Sequence, residues 1–147
     1  MTHYDVLVIG GGTGNNVAAA AADAGLETAL IEPGPLGGTC LNRGCNPSKM
    51  LIQAATAANN VREADRFFLD ASLNDIDYAA VIDDMDETLS PLAEGMEASY
   101  AENAHLALYK DKATFVDERT VEVDGERLSA DKVVVAAGSR PVIPPID

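Results

Sequence analysis

The sequence predicts an α/β fold: a parallel sheet with helices and a small antiparallel β-meander. Three observations lead there. A strand-helix-strand pattern covers residues 4–32, a Gly-rich turn sits inside it, and short strand-like runs follow residue 104. Tyr4–Gly10 reads YDVLVIG, an apolar run rich in Val and Ile that enters Gly10-Gly11-Gly12-Thr13-Gly14 directly. Asn15–Ala24 (NNVAAAAADA) is made of strong helix formers, stops at Gly25, and gives way to a second strand at Thr28–Glu32. Strands joined by a helical crossover lie parallel.

Pro33–Gly44 (PGPLGGTCLNRG) reads as a loop, and Pro47 suits the first turn of a helix running through Lys49, Ala54 and Val61. Asp75 to about Asn103 reads as mostly helical, with Pro91 expected to kink or split it. Then the period changes. His105–Tyr109, Ala113–Val116 and Thr120–Val123 are strand-like, Asp124-Gly125 is a hairpin turn before Glu126–Leu128, and Lys132–Ala137 reads as a further buried strand ending at Gly138-Ser139. No repeat or low-complexity tract appears, and Pro144–Asp147 is linker-like.

At 147 residues, 47% hydrophobic and 23% charged, the chain is of ordinary globular composition with enough length for one core. It has no apolar run of membrane-spanning length, and MTHYDVLVIG leads into a strand without a basic segment or cleavage site, so a cytoplasmic location is expected. The net charge of -14 and pI near 4.3 set the chain against nucleic acid and anionic membranes as partners. Acids such as Asp83-Asp84-Met85-Asp86-Glu87 read as a solvated helical face. This excess, with only four lysines, fits a salt-rich cytoplasm. Stability against unfolding should therefore rise strongly from low to molar KCl, and a flat response would remove the idea.

Gly10-x-Gly12 after a strand and before a helix, with Glu32 ending the next strand, is the Rossmann-like dinucleotide fingerprint. The glycines let backbone approach a pyrophosphate, the helix start offers free N–H groups, and Glu32 can accept hydrogen bonds from a ribose. Asn15 stands where the pattern has its third glycine. The competing reading, a tight turn with Glu32 a surface acid, is disfavoured by the strand-helix-strand context. The fingerprint does not distinguish FAD from NAD.

Cys40 and Cys45 are the only cysteines, four residues apart. Structural zinc needs four ligands and His3 and His105 are isolated, so no metal site is expected. Thioredoxin-type chemistry uses a two-residue gap. The spacing still allows a small disulfide ring, and Cys45 stands just ahead of the helix begun near Pro47, where the dipole and Lys49 favour a thiolate. Two inert cysteines near a turn would more naturally lie in an apolar run.

Gly37-Gly38-Thr39-Cys40-Leu41-Asn42-Arg43-Gly44-Cys45-Asn46-Pro47-Ser48-Lys49 resembles the active-site signature of the class I pyridine nucleotide-disulfide oxidoreductases. Gly10–Gly14, Glu32 and Ala136–Pro141 are similar to the flanking family motifs in order and spacing, so the resemblance covers the chain. It implies that residues 1–147 are the FAD-binding domain of a longer enzyme, with nicotinamide-binding and dimerisation domains beyond. FAD would be held by Gly10, Gly12, Thr13 and Gly14, by Glu32 on the adenosine ribose, and by Gly38 and Thr39 near the pyrophosphate. Lys49 would lie by the flavin, Ala113 would place backbone against adenine, and Gly138 and Ser139 would close over the cofactor. Cys45 would be the charge-transfer thiolate and Cys40 the interchange thiol.

The resemblance further implies electron transfer between NAD(P)H, flavin, the Cys40–Cys45 disulfide and a small disulfide or dithiol substrate, in a homodimer. Its His-Glu acid-base pair would come from the dimerisation domain, and His105 reads as a strand or surface residue. Pro47-Ser48-Lys49 is similar to dihydrolipoamide dehydrogenase and mercuric reductase, whereas Gly12–Asn15 and Ala136–Pro145 are similar to mycothione reductase. Dihydrolipoamide dehydrogenase-like activity is the first expectation, with a reductase of a mycothione- or glutathione-type disulfide, or a mercuric reductase, as alternatives. A stand-alone flavin-binding redox sensor is the alternative of another class.

Overall fold

A computed structural model describes residues 1–146. The chain divides into two compact units, one of Met1–Gly38 with the chain from Met96, the other Thr39–Gly95.

The first unit holds the sheet. Its strands are β1 (Thr2–Ile9), β2 (Thr28–Ile31), β3 (Leu106–Tyr109), β4 (Thr114–Asp117), β5 (Thr120–Val123) and β6 (Glu126–Val135), in the order β3-β2-β1-β6-β5-β4. β3, β2, β1 and β6 run parallel, while β4, β5 and the start of β6 form the antiparallel meander. The expected α/β architecture is present. The central strands have side chains buried on both faces, which is why β1 and β2 read as continuous apolar runs. Val6, Val8 and Leu30 pack with Ala18 and Ala22 of helix α1 (Gly14–Asp23); Leu7, Ala29 and Ile31 pack on the opposite face with Val121, Val123 and Leu128.

One expectation is corrected here. Glu126–Leu128 and Lys132–Ala137 are not separate strands but parts of the ten-residue β6, which pairs with β1 from Thr2↔Leu128 to Ile9↔Val135. The intervening Ser129-Ala130-Asp131 reads as a break because two of its residues are polar. In the strand they alternate: Leu128 and Ala130 are buried, and Ser129 and Asp131 meet His3 on the other face. The meander is therefore fused to the parallel sheet through β6.

Helix α2 (Gly38–Asn42) lies inside the stretch that composition alone reads as a loop. The second unit also holds α3 (Cys45–Arg62), a 3-10 turn at Ala64–Phe67, and most of α4 (Tyr78–Ala101). Asp77 caps α4, its Oδ1 accepting from the Ala80 N–H at 3.0 Å. Pro91 does not split this helix, which runs through it unbroken. Pro91 and Glu87 are both exposed, so the carbonyl that loses its intrahelical partner is open to water. Among the described residues no helix is long and apolar enough to cross a membrane.

Candidate active site

The Gly-rich loop leaves the carboxyl end of β1, where the strand order reverses: β2 and β3 lie to one side and β6 to the other. Open parallel sheets bind ligands at such a switch point. Gly10 N–H donates to the Ile31 carbonyl at 2.9 Å and Ala136 N–H donates to that of Ile9 at 2.8 Å, anchoring the loop between its neighbours. Glu32, directly after β2, turns back to it. Its Oε2 accepts from Gly11 N–H and its Oε1 from Gly34 N–H, both at 2.8 Å. A carboxylate oxygen has two lone pairs, so both remain able to accept from a ribose diol.

A second loop completes the cradle. Gly37 N–H donates to the Gly11 carbonyl at 2.9 Å, and Gly38, at φ +60°, lies so close that a Cβ there would stand 2.5 Å from Gly12 Cα. The structure thus brings together Gly10, Gly12, Gly14, Glu32 and Gly38. Thr13 precedes α1, and its exposed side chain makes no capping bond to the helix. A surface of close backbone at a helix start, with an oriented carboxylate beside it, suits the ribose and pyrophosphate of a dinucleotide.

Asn15 has a role that the fingerprint does not reveal. Gly14 provides the close helix-strand approach, since a Cβ there would lie 2.8 Å from Val8 Cγ1 and 3.0 Å from Ala136 Cβ. Asn15 is instead buried, its Oδ1 accepting from the Tyr100 hydroxyl of α4 and its Nδ2 donating to Met96 Sδ at 3.6 Å. Burial, then the charge of Asp23, raises the Tyr100 pKa, and the bond to Asn15 opposes both. Tyr100→Phe leaves the buried amide oxygen without its donor. It should cost about 1–3 kcal/mol of stability, read from urea unfolding; an unchanged midpoint would show that the bond contributes nothing.

In the second unit, α2 carries Cys40 and α3 opens on Cys45 itself, two residues earlier than its Pro47 suggests. Arg43 N–H donates to the Thr39 carbonyl at 2.9 Å and Ser48 N–H to that of Gly44 at 3.0 Å, so hydrogen bonds flank the short link between the helices. Both cysteines are exposed free thiols. A hydrogen bond between them is the largest cause raising the Cys40 pKa, followed by desolvation and the Cys45 charge; a Cys45 backbone bond and the Lys49 charge pull the other way.

Cys40 therefore holds its proton to higher pH than an ordinary thiol. In the reduced protein its alkylation by iodoacetamide should climb only above the usual thiol range, because the raised pKa delays the thiolate. Cys45→Ala removes the main cause and should move the climb to lower pH. A profile identical in the two proteins would contradict this account.

The pyridine nucleotide-disulphide oxidoreductase family matches residues 4–147 of this chain. The chain belongs to that family. Members of this oxidoreductase family are FAD-dependent and use NAD(P)H. The chain is 41% identical over 154 residues to dihydrolipoyl dehydrogenase 2 of Haloarcula marismortui, covering 98% of its own length and 32% of that protein. It is 36% identical to the mycothione reductase of Mycobacterium tuberculosis, across 99% of the chain and 33% of the relative. For the mercuric reductase of Lysinibacillus sphaericus the values are 35% identity, 98% and 27%. A HOCl-induced flavoprotein disulfide reductase from Escherichia coli superimposes with a TM-score of 0.81 at 26% identity, over 97% of this chain and 30% of that one. The chain thus spans about a third of the curated relatives it matches.

The remaining residues singled out in the sequence lie as follows. Lys49 is exposed on α3, one turn after Cys45, where its charge reaches Cys40. Ala113 is half-buried against the cluster that holds Leu7 and Ile31. Gly138 and Ser139 are exposed beyond the end of β6. Sequence reasoning missed the Asn15–Tyr100 pair and Lys110, whose Nζ donates to the Gly34 carbonyl at 2.6 Å. The departure from glycine at Asn15 was the available signal for the first; for Lys110 the local sequence offers none.

Proposed function

We propose that this chain is the FAD-binding, dithiol-bearing domain of a cytoplasmic, homodimeric enzyme that moves electrons between NAD(P)H and a small dithiol or disulfide, with a dihydrolipoyl group as substrate. The observation that carries this reading is the pair of exposed free thiols on consecutive helices, α2 and α3, in a chain that also holds a dinucleotide cradle. The 41% identity to dihydrolipoyl dehydrogenase 2 supports the substrate. The share of the relatives' length that the chain spans supports further nicotinamide-binding and dimerisation domains.

Bound FAD, held by Gly10, Gly12, Thr13, Gly14, Glu32, Gly38 and Thr39 and with Lys49, Ala113, Gly138 and Ser139 around it, would supply a two-electron carrier. The chain's own residues do the sulfur chemistry. Cys40 thiolate attacks one sulfur of a substrate disulfide, forming a mixed disulfide and releasing one substrate thiolate, which takes up a proton. Cys45 then attacks Cys40 Sγ, forming the Cys40–Cys45 disulfide and releasing the second substrate thiol. The two electrons that reduce the substrate come from the cysteine pair. With a dihydrolipoyl group the same steps run in reverse. Because Cys40 holds its proton, the exchange requires a base, the role proposed for a histidine of the dimerisation domain.

Full-length protein should be assayed with NADH and NADPH against lipoamide, mycothione- and glutathione-type disulfides, and Hg(II). Lipoamide turnover should exceed the others by at least about tenfold. Faster turnover of another substrate would reassign it, and flavin binding without turnover of any would favour the redox-sensor alternative.

A further inference from the structure

We infer that Lys110, steadied by Glu97, is a positioning residue for the adenosine end of FAD, an inference that rests on the FAD-binding reading above. Lys110 directly follows β3, and the preceding carbonyl, that of Tyr109, accepts from the Glu32 N–H at 2.9 Å. Its ammonium donates to the Gly34 carbonyl at 2.6 Å and pairs with the Glu97 carboxylate on α4. The two side chains are 40% and 34% exposed, so the ion pair alone contributes little, and it is the second bond, to the Gly34 carbonyl, that ties the ammonium to the loop.

Gly34 lies between Pro33 and Pro35, neither of which has an N–H. Its own N–H is thus the sole backbone donor of that three-residue segment, and it goes to Glu32 Oε1 at 2.8 Å. The other carboxylate oxygen is held by Gly11 of the Gly-rich loop. The orientation of Glu32 therefore depends on two loops at once. Lys110 fixes the second by gripping Gly34 from its carbonyl side, through a charge-assisted bond of roughly twice the ordinary strength. A lysine stem is flexible, and Glu97 supplies the second anchor that makes its ammonium a fixed point.

The chain of contacts Glu97–Lys110–Gly34–Glu32 ends on the group that would meet the ribose hydroxyls, and ligand affinity follows such preorganisation. Lys110 touches no reacting atom, and its effect should be confined to ligands that carry the adenosine.

The test is titration of FAD and, separately, of FMN into flavin-stripped full-length protein, comparing wild type with Lys110→Met, Lys110→Arg and Glu97→Gln. Lys110→Met should weaken FAD about tenfold and FMN, which has no adenosine, less than about twofold. Lys110→Arg keeps a cationic donor and should recover most of the FAD affinity; Glu97→Gln should give an intermediate loss. Equal weakening of both flavins, or unchanged FAD affinity in Lys110→Met, would overturn the role. Should circular dichroism show Lys110→Met misfolded, the isosteric Glu97→Gln carries the same comparison. Wild type that binds no FAD would overturn the FAD-binding reading instead.

Discussion

Cys40→Ser should abolish dithiol-disulfide turnover, lowering kcat by about a thousandfold or more, while FAD binding stays within about twofold of wild type. The serine hydroxyl keeps the size and much of the hydrogen bonding of the thiol, so α2 and α3 need not move. What is lost is the sulfur that attacks. Cys45 alone cannot close an intramolecular disulfide, and a mixed disulfide formed on it would have no resolving partner in this chain, whose cysteines are two. FAD binding is spared because the hydrogen bonds of the cradle run between Gly11, Gly34, Gly37 and Glu32, none of which involves Cys40. Steady-state turnover together with flavin absorbance separates the two effects. A variant retaining more than about a tenth of the activity would show that the reaction does not pass through Cys40.

Gly38→Ala should have the second largest effect, on the cofactor rather than on sulfur. At φ +60° an alanine pays about 1 kcal/mol for its conformation alone, and its Cβ would sit 2.5 Å from Gly12 Cα, inside any real contact distance. Gly12 cannot retreat freely, because its neighbour Gly11 is bonded on one side to Glu32 and on the other to Gly37. The two loops must part, at a total cost of about 2–4 kcal/mol, which corresponds to FAD affinity weakened by roughly a hundredfold. Equilibrium titration with FAD, alongside thermal unfolding without it, measures the loss. Wild-type affinity in Gly38→Ala would mean that the Gly12–Gly38 approach plays no part in binding.

The fold was legible where local preference and tertiary structure agree. β1, α1 and β2 lie within two residues of their sequence limits because the apolar run, the alanine-rich helix and the glycines that bound them all favour one β-α-β unit. The disagreements are physical. Ser129 and Asp131 disguise β6 because their polarity suits one face of a strand as well as it suits a turn. One turn of helix at Gly38–Asn42 is hidden by the glycines and prolines around it. The site was legible to the same degree. Glycine spacing and Glu32 locate the cradle, but Lys110, whose Nζ donates to the Gly34 carbonyl, lies more than seventy residues later. The exchange of roles between Gly14 and Asn15 also escapes the pattern, because the partners of Asn15 are on α4.

The claim that one protein joins a flavin to a redox-active cysteine pair is tested most directly by anaerobic reductive titration of the flavin-loaded full-length enzyme. A flavin and a disulfide each accept two electrons. The oxidised wild type should therefore take up twice as many electrons per FAD as the Cys40→Ser/Cys45→Ser double variant. Equal uptake by the two proteins would contradict the account.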